Sequence, residues 1–149
     1  MPCIIDTALA TTRPGSILLP FRRPGGCERV SNSARGAARS VPGFEPGPGE
    51  IVATEHWCSS GFANTDLDLQ LKKHGIHQLI IIGLIAHTCI EATVRFAAEL
   101  GYNVTMVKDA TADYSQDHMH AALDINLPNY ASAIVTTNEV IASISSLKA

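Results

Sequence analysis

No lysine occurs in the first fifty residues, no Cys-x-x-Cys pair occurs anywhere, and no apolar run approaches the ~20 residues of a membrane span. The start also lacks the basic-then-apolar layout of a signal peptide, so a cytosolic protein is expected. Basic excess is missing too: the formal charge is −3, which points away from nucleic acid and from anionic membranes. The four cysteines, at 3, 27, 58 and 89, are too few and too scattered for a stapled mini-protein or a zinc ribbon, and reduced thiols are expected. No cofactor or metal motif stands out. At 149 residues, 46% of them apolar, the chain is long enough to bury a real core.

Composition divides the chain near residue 43. Residues 1–50 hold seven of the eight prolines and six of the seven arginines, and Arg13-Pro14-Gly15, Arg22-Arg23-Pro24-Gly25-Gly26 and Ala34-Arg35-Gly36 read as turns or disorder. Apart from Cys3-Ile4-Ile5, a short candidate strand ending at Asp6, nothing in 1–43 keeps a strand or helix period. Such a segment contributes little burial, so its deletion is expected to change the melting temperature little. Residues 44–149 form the regular domain.

The most informative stretch lies within that domain. Gln78-Leu79-Ile80-Ile81-Ile82-Gly83 is a β-branched apolar run, as expected of a parallel strand covered on both faces. A helix from Cys89 to Leu100 follows, with Thr88 as N-cap, Glu91 completing a capping box and Gly101 as stop. Ile90, Val94, Ala97 and Leu100 give it one apolar face. Cys89 then sits at a helix N-terminus beyond the carboxyl end of a strand, where thiolate and oxyanion are both favoured. The residue pattern alone leaves open that Cys89 is a small core residue.

Elsewhere a strand is expected at Glu50–Thr54, a helix from about Asp66 to His74 capped by Asn64 or Thr65, and a strand from Asn103 to Val107. A helix over Gln116–Asp124, a strand at Ala133–Val135 and a helix over Asn138–Ser146 complete the pattern. Strands alternating with helices imply βαβ units in a three-layer α/β/α domain with a mainly parallel sheet.

Gly83-Leu84-Ile85-Ala86-His87-Thr88-Cys89-Ile90-Glu91-Ala92-Thr93 resembles the nucleophile segment of the isochorismatase-like cysteine hydrolases. Ser60-Gly61-Phe62-Ala63-Asn64-Thr65-Asp66-Leu67-Asp68 before it, and Gly101-Tyr102-Asn103-Val104 and Lys108-Asp109-Ala110 after it, stand in the family's order over residues 44–144. The resemblance implies hydrolysis of a small amide or isochorismate-like substrate by the Cys89 thiolate, with no cofactor and in a homo-oligomer. It implies an aspartate base after the first strand, matched here by Asp6, although Thr7-Ala8-Leu9-Ala10 replaces the residues usual after it. The family's lysine position falls on His56, which can carry charge only while protonated. A non-proline cis bond before the nucleophile is also implied, and its match is Ile85–Ala86.

His87 and Thr88 lie where the family meets its substrate. Trp57, Phe62 and Tyr114 suit an apolar pocket wall, with core packing as the equal alternative. His118 and His120 could take zinc with His87 or Cys89, but the residues around them favour plain helix-start histidines and no metal. In Asp109–Asp113 the carboxylates are expected to cap backbone N–H groups in a turn. Two non-hydrolytic readings stand beside the enzyme: an inactive homologue that keeps an oligomer surface, and a thiol redox or binding protein that pairs Cys58 with Cys89.

Overall fold

Among the described residues six strands form a single sheet in the order β3-β2-β1-β4-β5-β6. They are β1 (Asp6–Ala10), β2 (Ile17–Leu18), β3 (Ile51–Val52), β4 (Gln78–Leu84), β5 (Asn103–Ala112) and β6 (Ala133–Val135). The helices are α1 (Leu67–Lys73), α2 (Glu91–Glu99), α3 (Gln116–His120) and α4 (Thr137–Ser146). In this computed structural model the described residues are 6–10, 17–18, 51–53 and 59–146.

β4, β5 and β6 are parallel neighbours joined through helices, the βαβ arrangement that alternating periodicity implies. β2 and β3 are also parallel, whereas β1 runs antiparallel to both β2 and β4. The α/β architecture with a mainly parallel sheet is therefore the one expected, with a reversed strand in its middle. Among the described residues β1 begins at Asp6, and the candidate strand Cys3-Ile4-Ile5 lies outside them. β1 comes from a stretch without sequence periodicity; it is a strand because β4 offers it a hydrogen-bonding edge, a case of tertiary pairing overriding local preference.

The core lies on one face of β4 and β5. Leu79 and Ile81 of β4 and Val104 and Met106 of β5 meet Leu67 and Leu71 of α1, and Ile90, Val94 and Ala97 on or beside α2. Their spacing is two along strands and three to four along helices, so each element turns one side to the same interior. Leu100, expected on that apolar face, is instead 38% exposed at the helix end. α4 packs against β5 without burying any residue.

Both core helices stop the same way. After α2 the N–H of Gly101 donates to Ala98 O at 3.0 Å and that of Tyr102 to Ala97 O at 2.9 Å. After α1 the N–H of Gly75 donates to Lys72 O at 3.0 Å and that of Ile76 to Leu71 O at 3.0 Å. These are Schellman closures, with Gly75 and Gly101 in the left-handed region at φ 63° and 89°. Buried Ile76 and Tyr102 follow the two glycines and seal the helix ends against the core.

Three boundaries differ from the sequence reading. Helical structure before α2 begins at Ala86, not at Cys89, as a π turn over Ala86–Ile90 in which Ile90 N–H reaches Ile85 O at 3.1 Å. β5 continues past Val107 to Ala112, into the Asp109–Asp113 segment that had read as a turn, and its register against β4 shifts between Ile81 and Gly83. The chain after α3 stays helical through a second π turn, Ala121–Asn126, and a 3-10 turn, Leu127–Asn129.

Candidate active site

Cys89 lies in the π turn that joins the carboxyl end of β4 to α2, with its side chain only 1% exposed. Thr88 is inside that turn and does not cap a helix; its hydroxyl lies 3.3 Å from Cys89 Sγ. Nor does Glu91 close a capping box. Its carboxylate binds Arg95 and accepts from Asn126 Nδ2 at 3.1 Å. The cis peptide bond is Leu84–Ile85, one bond earlier than the sequence suggested.

The segment Ser60-Gly61-Phe62 is bound to the cysteine turn by Thr93. The Thr93 hydroxyl donates to Cys89 O at 2.7 Å and accepts the N–H of Gly61 at 3.0 Å, all within the interior. Ser60 Oγ accepts the N–H of Phe62 at 3.1 Å, and Thr65 Oγ1 donates to Gly61 O at 2.8 Å and accepts the N–H of Leu67 at 3.2 Å. A loop rich in small hydroxyl residues is thereby folded on its own side chains. The spacing of Ser60 and Thr65 foreshadows the turn, but nothing in the sequence marks Thr93 as the link.

Past the end of β5, the Asp113 carboxylate, with 0% side-chain exposure, is held at the head of the same turn. Its Oδ2 accepts the His87 N–H at 2.8 Å and lies 2.6 Å from His87 Nδ1. Its Oδ1 accepts the Tyr114 N–H at 2.6 Å and lies 3.3 Å from His118 Nδ1. Burial alone would raise the Asp113 carboxyl, but the N–H of His87, the His87 ring and the N–H of Tyr114 together hold it below the ordinary carboxylate value. The His87 and His118 rings are 4.2 Å apart and tilted by 32°. His120 turns away to Asp124, 2.7 Å from its Nδ1. As expected of this segment, its carboxylates bind backbone N–H groups: Asp113 those above, and Asp109 that of Thr137 at 2.7 Å.

Other candidates are spread more widely. The main chain of Asp6 pairs with Leu84, which places it at the sheet edge where the Cys89 turn begins. Had β1 run parallel, its first residue would lie at the opposite edge; the reversed direction brings Asp6 to this one. Phe62 is in the core beside Tyr102, with ring centroids 5.7 Å apart, while Tyr114 is 67% exposed. His56, Trp57 and Cys58 lie outside the described residues, as does any Cys58–Cys89 pairing. Among the described residues no helix is long and apolar enough to cross a membrane.

Several known proteins are similar to this chain in sequence or fold. The ureidoacrylate amidohydrolase RutB of Rhizobium rhizogenes is 31% identical over 105 residues, which are 70% of this chain and 42% of that protein. A second RutB, from Agrobacterium fabrum, is spanned over 46% of its length, so the chain covers less than half of each. An isochorismatase-like hydrolase from Alkaliphilus metalliredigens superposes with a TM-score of 0.68 at 26% identity, covering 86% of this chain and 68% of that one. An N-carbamoylsarcosine amidase from Thermoplasma acidophilum gives a TM-score of 0.54 at 27% identity, covering 67% and 55%. The isochorismatase domain itself matches residues 20–139, beginning inside the Arg- and Pro-rich stretch. With a cysteine turn closing a parallel strand and that match over most of its length, the chain belongs to the isochorismatase family.

Proposed function

We propose that this protein hydrolyses a small amide through a thioester on Cys89. The single observation that carries the reading is the location of Cys89: on the first turn after β4, at the carboxyl edge of the parallel strands, with the Asp6 main chain opposite Leu84 at that edge. The Cys89 thiolate attacks the amide carbon, and N–H groups at the start of the helical segment receive the negative charge that develops on the carbonyl oxygen. Asp6 takes the thiol proton and passes it to the departing nitrogen, which leaves as ammonia or an amine. Water then attacks the thioester, which for a carbamoyl substrate is an S-carbamoyl thiocarbamate, releasing the carboxylic or carbamic acid and returning the proton to sulfur. By its spacing from Cys89 in the sequence, His56 stands for the family's lysine and, when protonated, would supply the cation that assists the carboxylate.

RutB and the N-carbamoylsarcosine amidase are both named for substrates bearing a carbamoyl group on nitrogen, which supports a small carbamoyl amide as the substrate class. The test is ammonia release from ureidoacrylate and N-carbamoylsarcosine by the purified chain and by Cys89→Ala. Turnover is expected to fall by about a thousandfold or more in the variant. Iodoacetamide is expected to label Cys89 ahead of Cys3 and Cys27. Unchanged turnover in Cys89→Ala, or labelling of Cys89 only after denaturation, would remove it as nucleophile.

A further inference from the structure

Two imidazoles and one carboxylate, from three separate segments, converge beside the cysteine turn without involving the thiol. His87 is the second residue of the π turn, Asp113 follows β5 and His118 belongs to α3. One ligand-capable atom from each of the three lies within 4.8 Å of the others. We propose that His87, Asp113 and His118 form a binding site for a divalent transition-metal ion of the zinc class. The inference does not depend on the chemistry assigned to Cys89.

The donor set decides the class of ion. Two imidazole nitrogens with one carboxylate oxygen suit zinc and its neighbours, whereas magnesium and calcium take mainly oxygen ligands. Around a tetrahedral ion with bonds of about 2.0–2.1 Å, ligand atoms stand roughly 3.3 Å apart. His118 Nδ1 and Asp113 Oδ1 already stand at 3.3 Å. His87 Nδ1, 2.6 Å from Asp113 Oδ2, holds a hydrogen-bond spacing instead. An ion entering there takes the place of that hydrogen on Nδ1, the neutral ring carrying its hydrogen on Nε2, and the ring moves outward by a fraction of an ångström.

The support for the ligands is built in. Asp113 is fixed by the N–H groups of His87 and Tyr114, so the carboxylate is oriented before any ion arrives. Ser115 Oγ accepts the His118 N–H at 3.2 Å, which anchors the start of α3. The two imidazoles are 30% and 47% exposed, which leaves an approach from solvent and room for water to complete the coordination. His120 is directed to Asp124 and is no part of the site. The sequence set His118 and His120 together with His87 or Cys89; the geometry keeps His118 with His87, leaves His120 out and adds a carboxylate the sequence had assigned to turn capping.

Titration of the tag-free, EDTA-stripped chain with Zn2+ by calorimetry, and with Co2+ by visible absorption, tests the proposal. One ion per chain is expected, with a low-symmetry four- or five-coordinate Co2+ spectrum and no matching uptake of Mg2+. His118→Ala, an exposed position that far-UV circular dichroism should show to be folded, is expected to weaken Zn2+ binding by roughly tenfold or more. Asp113→Asn is expected to do the same, and His120→Ala to leave binding unchanged. Absence of stoichiometric binding, equal uptake of Mg2+, retention of affinity in His118→Ala, or equal loss in His120→Ala would each overturn the assignment.

Discussion

At the scale of single residues, Thr93 does the most structural work for its size. It is a fully buried polar side chain, and its hydroxyl satisfies two main-chain groups in different segments, Cys89 O and Gly61 N–H. Thr93→Val keeps the shape, removes both hydrogen bonds and takes from the Gly61 N–H its hydroxyl acceptor in the interior. The expected cost is about 1–3 kcal/mol, read from urea denaturation, and iodoacetamide labelling of Cys89 should change with it. Thr93→Ser, which keeps the hydroxyl, should recover most of both; a valine variant as stable as wild type would mean that the link carries nothing. Legibility is uneven at this scale. Cys89 stood out because β-branched apolar residues stop just before it, a local signal. Thr93 was not singled out and Asp113 was read only as a turn cap, because their partners lie 32 and 26 residues away along the chain and no local period encodes such a contact. Thr88 misled for the converse reason: a threonine three residues before a glutamate reads as a cap, but the helical turn had already begun at Ala86.

At the scale of elements, helix ends and strand faces were the readable part. Gly101 stops its helix as expected and Gly75 does the same for α1, because only residues tolerant of positive φ close a Schellman turn cheaply. Tyr102, next after Gly101, then ties α2 to α1: its hydroxyl donates to Asp68 Oδ1 at 2.8 Å. Lys72, the larger cause, and the Tyr102 hydroxyl, acting against burial, hold the Asp68 carboxyl below its ordinary value. Burial and Asp68 push the Tyr102 phenol well above its own. The signs follow from linkage. The Asp68 contribution is present above its unfolded pKa of about 3.9 and is lost as pH falls through the lowered folded value. The Tyr102 contribution is present below about 10 and is lost as pH rises beyond it. Tyr102→Phe is therefore expected to cost about 1 kcal/mol near neutrality, with the gap from wild type narrowing in both acid and strong base. Urea midpoints for the two proteins at about pH 3, 7 and 10.5 decide the matter; a gap independent of pH would separate Tyr102 from Asp68.

At the scale of the whole molecule, the sheet order changes what the N-terminal stretch is expected to do. Lack of periodicity in residues 1–43 suggested a dispensable segment, and Asp6-Thr7-Ala8-Leu9-Ala10 has neither the β-branched density nor the alternation that announces a strand. In the sheet, however, β1 stands between β2 and β4, and all five of its residues pair with β4, from Leu84 opposite Asp6 to Ile80 opposite Ala10. Deleting residues 1–43 would strip β1 and β2 from that edge and leave an apolar, untwinned β4 as a template for association. The deletion is therefore expected to lower the melting temperature, blunt the cooperativity of unfolding and promote self-association, the reverse of what composition alone implied. It would also remove Asp6 from the edge shared with Cys89, so any turnover should fall together with stability. Calorimetry and analytical ultracentrifugation of the truncated chain provide the readout. A monomeric truncation that melts as the full chain does would show that β4 does not need β1, and would leave Asp6 without a place in the active site.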